Sequence, residues 1–274
     1  MRLVILLVIT VLTGCAVPSP AERARVAEKL AIQAGWRPVR LHTSMFTLAA
    51  YVPQQLSRPE TLTVYIEGDG LAWVSRSRVS QNPTPGNPTA LELALRHPNL
   101  AVAYLARPCQ FVDSGDARHC AIPYWTDRRF APEVIASMNE AVGQLKAQAG
   151  ALKISLVGFS GGAAIAALVA ARRDDVKTLI TVAGNLDTEA WTQYHHVPRL
   201  AGSLNPADAW RALANVPQVH FIGADDRIIT RETIEPYLRR FPAGQRPELR
   251  LVQGMGHHCC WAQHWPALAK TILD

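Results

Sequence analysis

Gly158-Phe159-Ser160-Gly161-Gly162 sets a serine hydroxyl between two glycines, each two residues away. A free serine is a weak nucleophile; it attacks a carbonyl carbon only when an adjacent imidazole takes its proton. The imidazole needs a third group, a carboxylate, to hold its tautomer and orientation. Candidates for both follow downstream: Asp225-Asp226 after Gly223-Ala224, then His257-His258 after Gly254-Met255-Gly256. Together these residue types would carry out acyl transfer through a covalent serine intermediate. The pattern around Ser160 is weak on its own, so its setting must decide.

That setting is a strand running into a helix. Lys153 to Val157 reads as a buried strand and Gly162 to Arg172 as an Ala-rich helix, with Ser160 on the bend between them. Val219 to Ile222 is a second apolar strand with Asp225-Asp226 just beyond it. Glu248 to Val252 also reads as a strand, with His257 on the loop before a closing helix over Trp261 to Leu273. Groups that leave the carboxyl ends of parallel strands share one edge of the sheet, where such sheets bind ligands. The remaining pattern is of the same kind. A helix is expected over Glu22 to Ala34, then a hairpin of strands over 39–42 and 46–52. Strands over 62–66, 100–105 and 176–182 alternate with helices over 89–97, 130–149 and 231–241. Continuous apolar strands alternating with helices mean one mostly parallel sheet with helices on both faces.

With Ser160, a carboxylate and a histidine in this order on strand ends, the chain resembles the α/β-hydrolases, over about Leu62 to Asp274. The resemblance implies an α/β-hydrolase fold over residues 21–274, in one domain. It picks Asp226 over Asp225, because the family's acid falls fourth in a Gly-x-x-Asp turn. It picks His257 over His258, because the catalytic histidine follows Gly-x-Gly. Asp187, just past the 176–182 strand, is a lesser candidate acid. The oxyanion hole needs two backbone amides, one of them from Gly161. The family draws the other from an early loop marked His-Gly, which here reads Glu67-Gly68-Asp69-Gly70. Glu67 stands where the histidine would, so the second amide is expected at Asp69 or Gly70. The implied activity is a serine esterase, with an amidase, thioesterase, acyl transferase or non-catalytic binding protein as alternatives on the same scaffold. It implies a small acyl substrate, a monomer and no cofactor or metal.

Several further residues admit two readings. Arg107-Pro108-Cys109-Gln110 either lines the pocket or forms a rigid loop. Trp73, Arg76 and Arg78 either grip a substrate or sit in a solvated loop. Residues 183–216, with Trp191, Tyr194 and Trp210, are long for a crossover and read as a helical cap. They and Trp125 either shape a pocket or pack the core.

The amino end carries its own signal. Met1-Arg2 followed by the apolar run Leu3 to Leu12 reads as a secretory leader, too short to span a bilayer. Leu12-Thr13-Gly14-Cys15 resembles the lipobox of bacterial lipoproteins, which implies a leader over 1–14, acylation of Cys15 and a short tether over 15–20. Ala16, a residue other than Asp after the cysteine, implies the outer membrane, facing the periplasm. The net charge of +6 invites a nucleic-acid reading, but no Lys/Arg run exceeds two residues and no nucleic-acid module signature is present. Beyond Cys15 four cysteines remain, an even number that suits an oxidising compartment. Cys109 and Cys120 close a short loop. Cys259 and Cys260 would then pair with each other or, with His257 and His258, offer a metal site.

Overall fold

A computed structural model describes residues 17–55 and 58–273; the expected leader and Cys15 lie outside the described residues. The first helix, α1 (Pro20–Gln33), starts two residues ahead of the expected Glu22. The reason is local. Ser19 and Glu22 form a capping box, Glu22 N donating to Ser19 Oγ at 3.3 Å and Ser19 N to Glu22 Oε2 at 2.7 Å. Pro20 occupies the first helical position, where no N–H is needed.

The strands are β1 (Trp36–His42), β2 (Thr47–Pro53), β3 (Thr61–Ile66), β4 (Val102–Leu105), β5 (Lys153–Phe159), β6 (Val176–Val182), β7 (Gln218–Gly223) and β8 (Glu248–Val252). They form one sheet in the order β1-β2-β4-β3-β5-β6-β7-β8. β1 and β2 pair antiparallel, as do β2 and β4, and every other neighbouring pair is parallel. β1 begins at Trp36 rather than Val39, and carries Pro38 opposite Tyr51. Proline is tolerated there because β1 lies at the edge of the sheet, where one row of donors goes unused.

The remaining helices are α2 (Thr89–Ala94), α3 (Pro132–Ala149), α4 (Gly161–Ala170), α5 (Thr188–Tyr194), α6 (Trp210–Leu213), α7 (Arg231–Leu238) and α8 (Trp261–Leu273). On one face α1, α2 and α8 bury Ala27, Leu91 and Trp265 against Tyr65, Tyr104 and Val157. On the other, α3, α4 and α7 bury Met138, Ile165 and Ile234 against Leu62, Val64 and Leu156. Neighbours in one strand thus point to opposite layers, Val64 to one and Tyr65 to the other, which is why these strands read as unbroken apolar runs.

α4 is buried along its whole length, and small side chains let it lie close on β3, β5 and β6. Two glycines make that approach possible. A Cβ on Gly158 would overlap the backbone of Ala163, and one on Gly162 would overlap the carbonyls of Ile66 and Glu67. The bend that carries Ser160 is therefore wedged between the end of β3 and the start of α4.

Residues 183–216 hold α5, a 3₁₀ turn over Pro206–Ala209 and α6. α5 is tied to the loop after β7: Trp191 Nε1 and His195 Nε2 both donate to the Ile228 carbonyl, at 3.1 and 2.8 Å. Trp210 packs edge-on against Phe241. Trp125 is buried, and its Nε1 donates to Ser80 O at 3.0 Å, fastening the long loop between β3 and α2.

Candidate active site

β5, β7 and β8 are parallel, so the loops that leave them emerge on one rim. Ser160 stands at the first helical turn after β5 with φ 52° and ψ −120°, a conformation that costs a side chain energy and persists only where the surroundings impose it. They do so through three backbone bonds. Ser160 N donates to Val182 O at 3.0 Å, and Asn185 N and Ala163 N donate to Ser160 O, each at 3.1 Å.

The loops after β7 and β8 are stitched together. Ala224 N donates to Val252 O and Asp225 N to Met255 O, at 2.9 and 3.0 Å. Asp226 is buried, whereas Asp225 beside it is exposed. One Asp226 oxygen accepts from Ile228 N and Ile229 N, at 2.7 and 2.9 Å. The other lies 2.9 Å from His257 Nδ1, and His257 Nε2 lies 3.0 Å from Ser160 Oγ. An ionised carboxylate can only accept, so Nδ1 carries the imidazole hydrogen and Nε2 is left to accept from the Ser160 hydroxyl. Burial works to raise the Asp226 pKa. The hydrogen bond and charge of His257, with the Ile229 and Ile228 amides, outweigh it and hold the carboxyl below its ordinary value.

The His257 loop is braced from below. Gly256 N donates to Cys259 O at 3.1 Å, and Trp261 Nε1 donates to Gly256 O at 3.0 Å. His258 packs edge-on against His257, and burial first, then the His257 charge, pushes its pKa down. Disulfides join Cys109 to Cys120 and Cys259 to Cys260. With both ring nitrogens of His257 engaged and the two sulfurs bonded to each other, these residues do not present a metal-ligand set.

The segment Glu67 to Gly70 lies directly over the Ser160 bend. A Cβ on Gly161 would overlap the Asp69 carboxylate, and one on Gly68 would meet the Phe159 ring. Among the described residues the amides of Gly161, Asp69 and Gly70 donate to no protein acceptor, while the Gly68 amide is taken by Glu67 Oε1 at 2.9 Å. Glu67 fills the position expected of a histidine. It also accepts from Tyr104 OH at 3.1 Å and Ala90 N at 3.3 Å, anchoring the segment to β4 and α2.

Burial pushes the Glu67 carboxyl up to about 7, against the pull of these donors. The folded chain therefore keeps a proton that the unfolded chain releases near pH 4.5, and stability must fall as pH rises through the window from about 4.5 to 7. Glu67→Gln removes that slope. Melting temperatures of the two proteins across pH 5–8 should diverge in favour of the variant as pH rises; a constant difference would refute the assignment.

Other residues singled out by type are distributed as follows. Arg107 is buried and paired with Asp69 rather than lining an open pocket. Arg129, which in the sequence is no more than half of the Arg128-Arg129 pair, also binds Asp69, at 2.9 Å. The signal that would have found it is the presence of a carboxylate in a loop destined to be covered, since a covered charge must be paired. Trp73, Arg76 and Arg78 are exposed, on a tight turn closed by Val74 N donating to Arg78 O at 2.9 Å. Asp187 caps α5, accepting from Glu189 N and Ala190 N. A cavity of about 670 Å³, lined by Pro217, Gln218, Arg246 and Glu248, opens at the opposite ends of β7 and β8, away from Ser160.

No family model matches this chain, and no curated protein does. Solved structures do. Est1E from Butyrivibrio proteoclasticus superposes with a TM-score of 0.59 at 15% identity, covering 86% of this chain and 97% of its own. The esterase domain of a Rhodothermus marinus protein gives 0.57 at 15%, covering 86% and 95%. A membrane phospholipase A described as a bacterial virulence factor gives 0.53 at 17%, covering 93% of each chain. At such identities the likeness is one of fold: the chain has the α/β-hydrolase fold.

Proposed function

We propose that this chain is a serine hydrolase of carboxylic esters, held at a bilayer by an acylated Cys15. The observation that carries the reading is the unbroken hydrogen-bond chain from Asp226 through His257 to Ser160. Ser160 Oγ attacks the acyl carbonyl as its proton passes to His257 Nε2, and Asp226 stabilises the imidazolium that results. The carbonyl oxygen takes up negative charge facing the amides of Gly161 and of Asp69 or Gly70. Collapse expels the alcohol with the proton from His257 and leaves an acyl-serine. Water then attacks that ester, giving its proton to His257, and the acid departs as Ser160 recovers its hydrogen. The scheme calls for no cofactor and no metal.

Support for esters comes from the neighbours, two of which are described as an esterase domain and a phospholipase A. Support for the anchor is the Leu12-Thr13-Gly14-Cys15 sequence after its apolar run, with Ala16 favouring the outer membrane facing the periplasm. The partners are then a small acyl substrate and the lipid bilayer, for a monomer that does not engage nucleic acid.

The test is product analysis with p-nitrophenyl esters of several acyl lengths beside the matching anilides. Ester turnover that releases free acid and exceeds anilide turnover is the expected result. Faster anilide cleavage would make the protein an amidase. Transfer of the acyl group to an added alcohol in preference to water would make it an acyl transferase. No turnover of either by folded protein would leave only a binding scaffold.

A further inference from the structure

We infer that the second oxyanion donor is the amide of Asp69, and that Arg107, Arg129 and Gln110 are the residues that position it. The inference rests on the serine-hydrolase reading above and adds machinery to it. Two independent grips act on the Gly68–Asp69 peptide. The first is on its carbonyl: Gln110 Nε2 donates to Gly68 O at 2.9 Å. A trans peptide is planar, with C=O and N–H pointing in opposite directions, so a donor fixed on Gly68 O aims the Asp69 N–H away from Gln110. Gln110 is itself held, its Oε1 accepting from Arg107 N at 3.2 Å. The neighbouring Gly68 amide is already taken by Glu67, which leaves Asp69 as the next donor along the segment.

The second grip is on the side chain. Arg107 Nη1 donates to one Asp69 oxygen and Arg129 Nη1 to the other, the latter at 2.9 Å. Neither arginine is free to follow solvent. Arg107 Nη2 donates to Arg129 O at 2.8 Å, its guanidinium lies 5.1 Å from the Phe130 ring centroid, and Arg129 Nε donates to Thr126 O at 2.6 Å. Both arginine side chains are at least nine-tenths buried, so the clamp is a built feature of the fold.

Electrostatics explains why a carboxylate at this place needs two guanidinium groups. The Asp69 carboxylate lies against the Cα of Gly161, next to the amide assigned to the first oxyanion donor. A lone negative charge there would oppose the charge that develops on the substrate oxygen. Two positive groups against one carboxylate leave the cluster net positive. Although burial works to raise the Asp69 pKa, Arg129 and Arg107 hold it down at about 2, so this carboxylate stays ionised and paired at neutral pH.

The test compares the parent with Arg129→Gln, Arg129→Lys and Arg107→Gln. Its readouts are kcat and KM for p-nitrophenyl acetate, and the affinity for a trifluoromethyl ketone, whose adduct with Ser160 carries the same oxyanion. Displacing one donor should lower kcat by about 10- to 100-fold with KM within twofold, and weaken the ketone by the same factor. Arg129→Lys, which keeps the charge and one bond to Asp69, should recover part of the loss. Folded glutamine variants with parental kcat would overturn the inference. So would a rise in KM at constant kcat, or a loss of kcat that the ketone does not share. If Arg107→Gln fails to fold because Asp69 is left half-paired, the two Arg129 variants decide. A folded parent that does not react with a fluorophosphonate would instead refute the serine-hydrolase reading.

Discussion

Ser160→Ala is expected to abolish covalent labelling by a fluorophosphonate and to cut ester turnover about a millionfold, with the fold intact. The three backbone bonds that hold residue 160 in its bend involve only its N and O, which alanine keeps. Alanine also carries the same Cβ at φ 52° as serine, so the strain of the bend is unchanged. What disappears is the hydroxyl and its bond to His257 Nε2, a loss of about 1 kcal/mol in stability. Circular dichroism and thermal melting should therefore report a native protein. A residual rate above the uncatalysed one is expected, because the oxyanion donors and the substrate contacts remain. Labelling of the variant at the parental rate would place the nucleophile elsewhere and end the mechanism.

The parts of this molecule that were legible in its sequence are those that local physics constrains. Gly158 and Gly162 are required because backbone comes within contact of their Cα atoms, and a requirement of that kind leaves a mark that can be read one residue at a time. Asp226 and His257 are marked likewise by their places just past the carboxyl ends of β7 and β8. The parallel sheet is legible because β3 and β7 are buried on both faces and send apolar side chains to each. Strand boundaries were less so: β1 extends back to Trp36 because β2 pairs with it, and no local rule anticipates a strand through Pro38. Least legible was the clamp on Asp69. Its partners lie 38 and 60 residues away, and Arg128-Arg129 looks like any solvated charge pair until burial makes one member find a carboxylate. The substitution of Glu67 for a histidine was visible, but not its consequence. A histidine there would bring one or two ring nitrogens, whereas Glu67 gathers donors from Gly68, Ala90 and Tyr104.

Asp226→Asn should lower kcat by about ten-thousandfold with little change in KM. The cause is a tautomer. Asparagine can keep the bonds that Asp226 Oδ1 accepts from Ile228 N and Ile229 N, so the loop should hold its shape. Its other terminus becomes an NH₂ group, which donates to His257 Nδ1 and forces the hydrogen onto Nε2. That nitrogen then faces the Ser160 hydroxyl as a donor and can no longer take its proton. Stability supplies a second readout. Because the Asp226 pKa lies below its ordinary value in the folded chain, its ionised form contributes stability that is present above the unfolded pKa near 3.8 and lost as pH falls through the folded value. The variant should lack that component, so the difference in melting temperature between parent and variant should shrink in acid. Asp225→Asn, at the exposed neighbour, should leave kcat within about twofold, since surface changes of this kind rarely propagate. An Asp226→Asn protein that kept a tenth or more of the parental kcat would mean that another carboxylate orients the imidazole. Asp187, on the loop after β6 and engaged as the cap of α5, would then have to release Glu189 N and Ala190 N to do so.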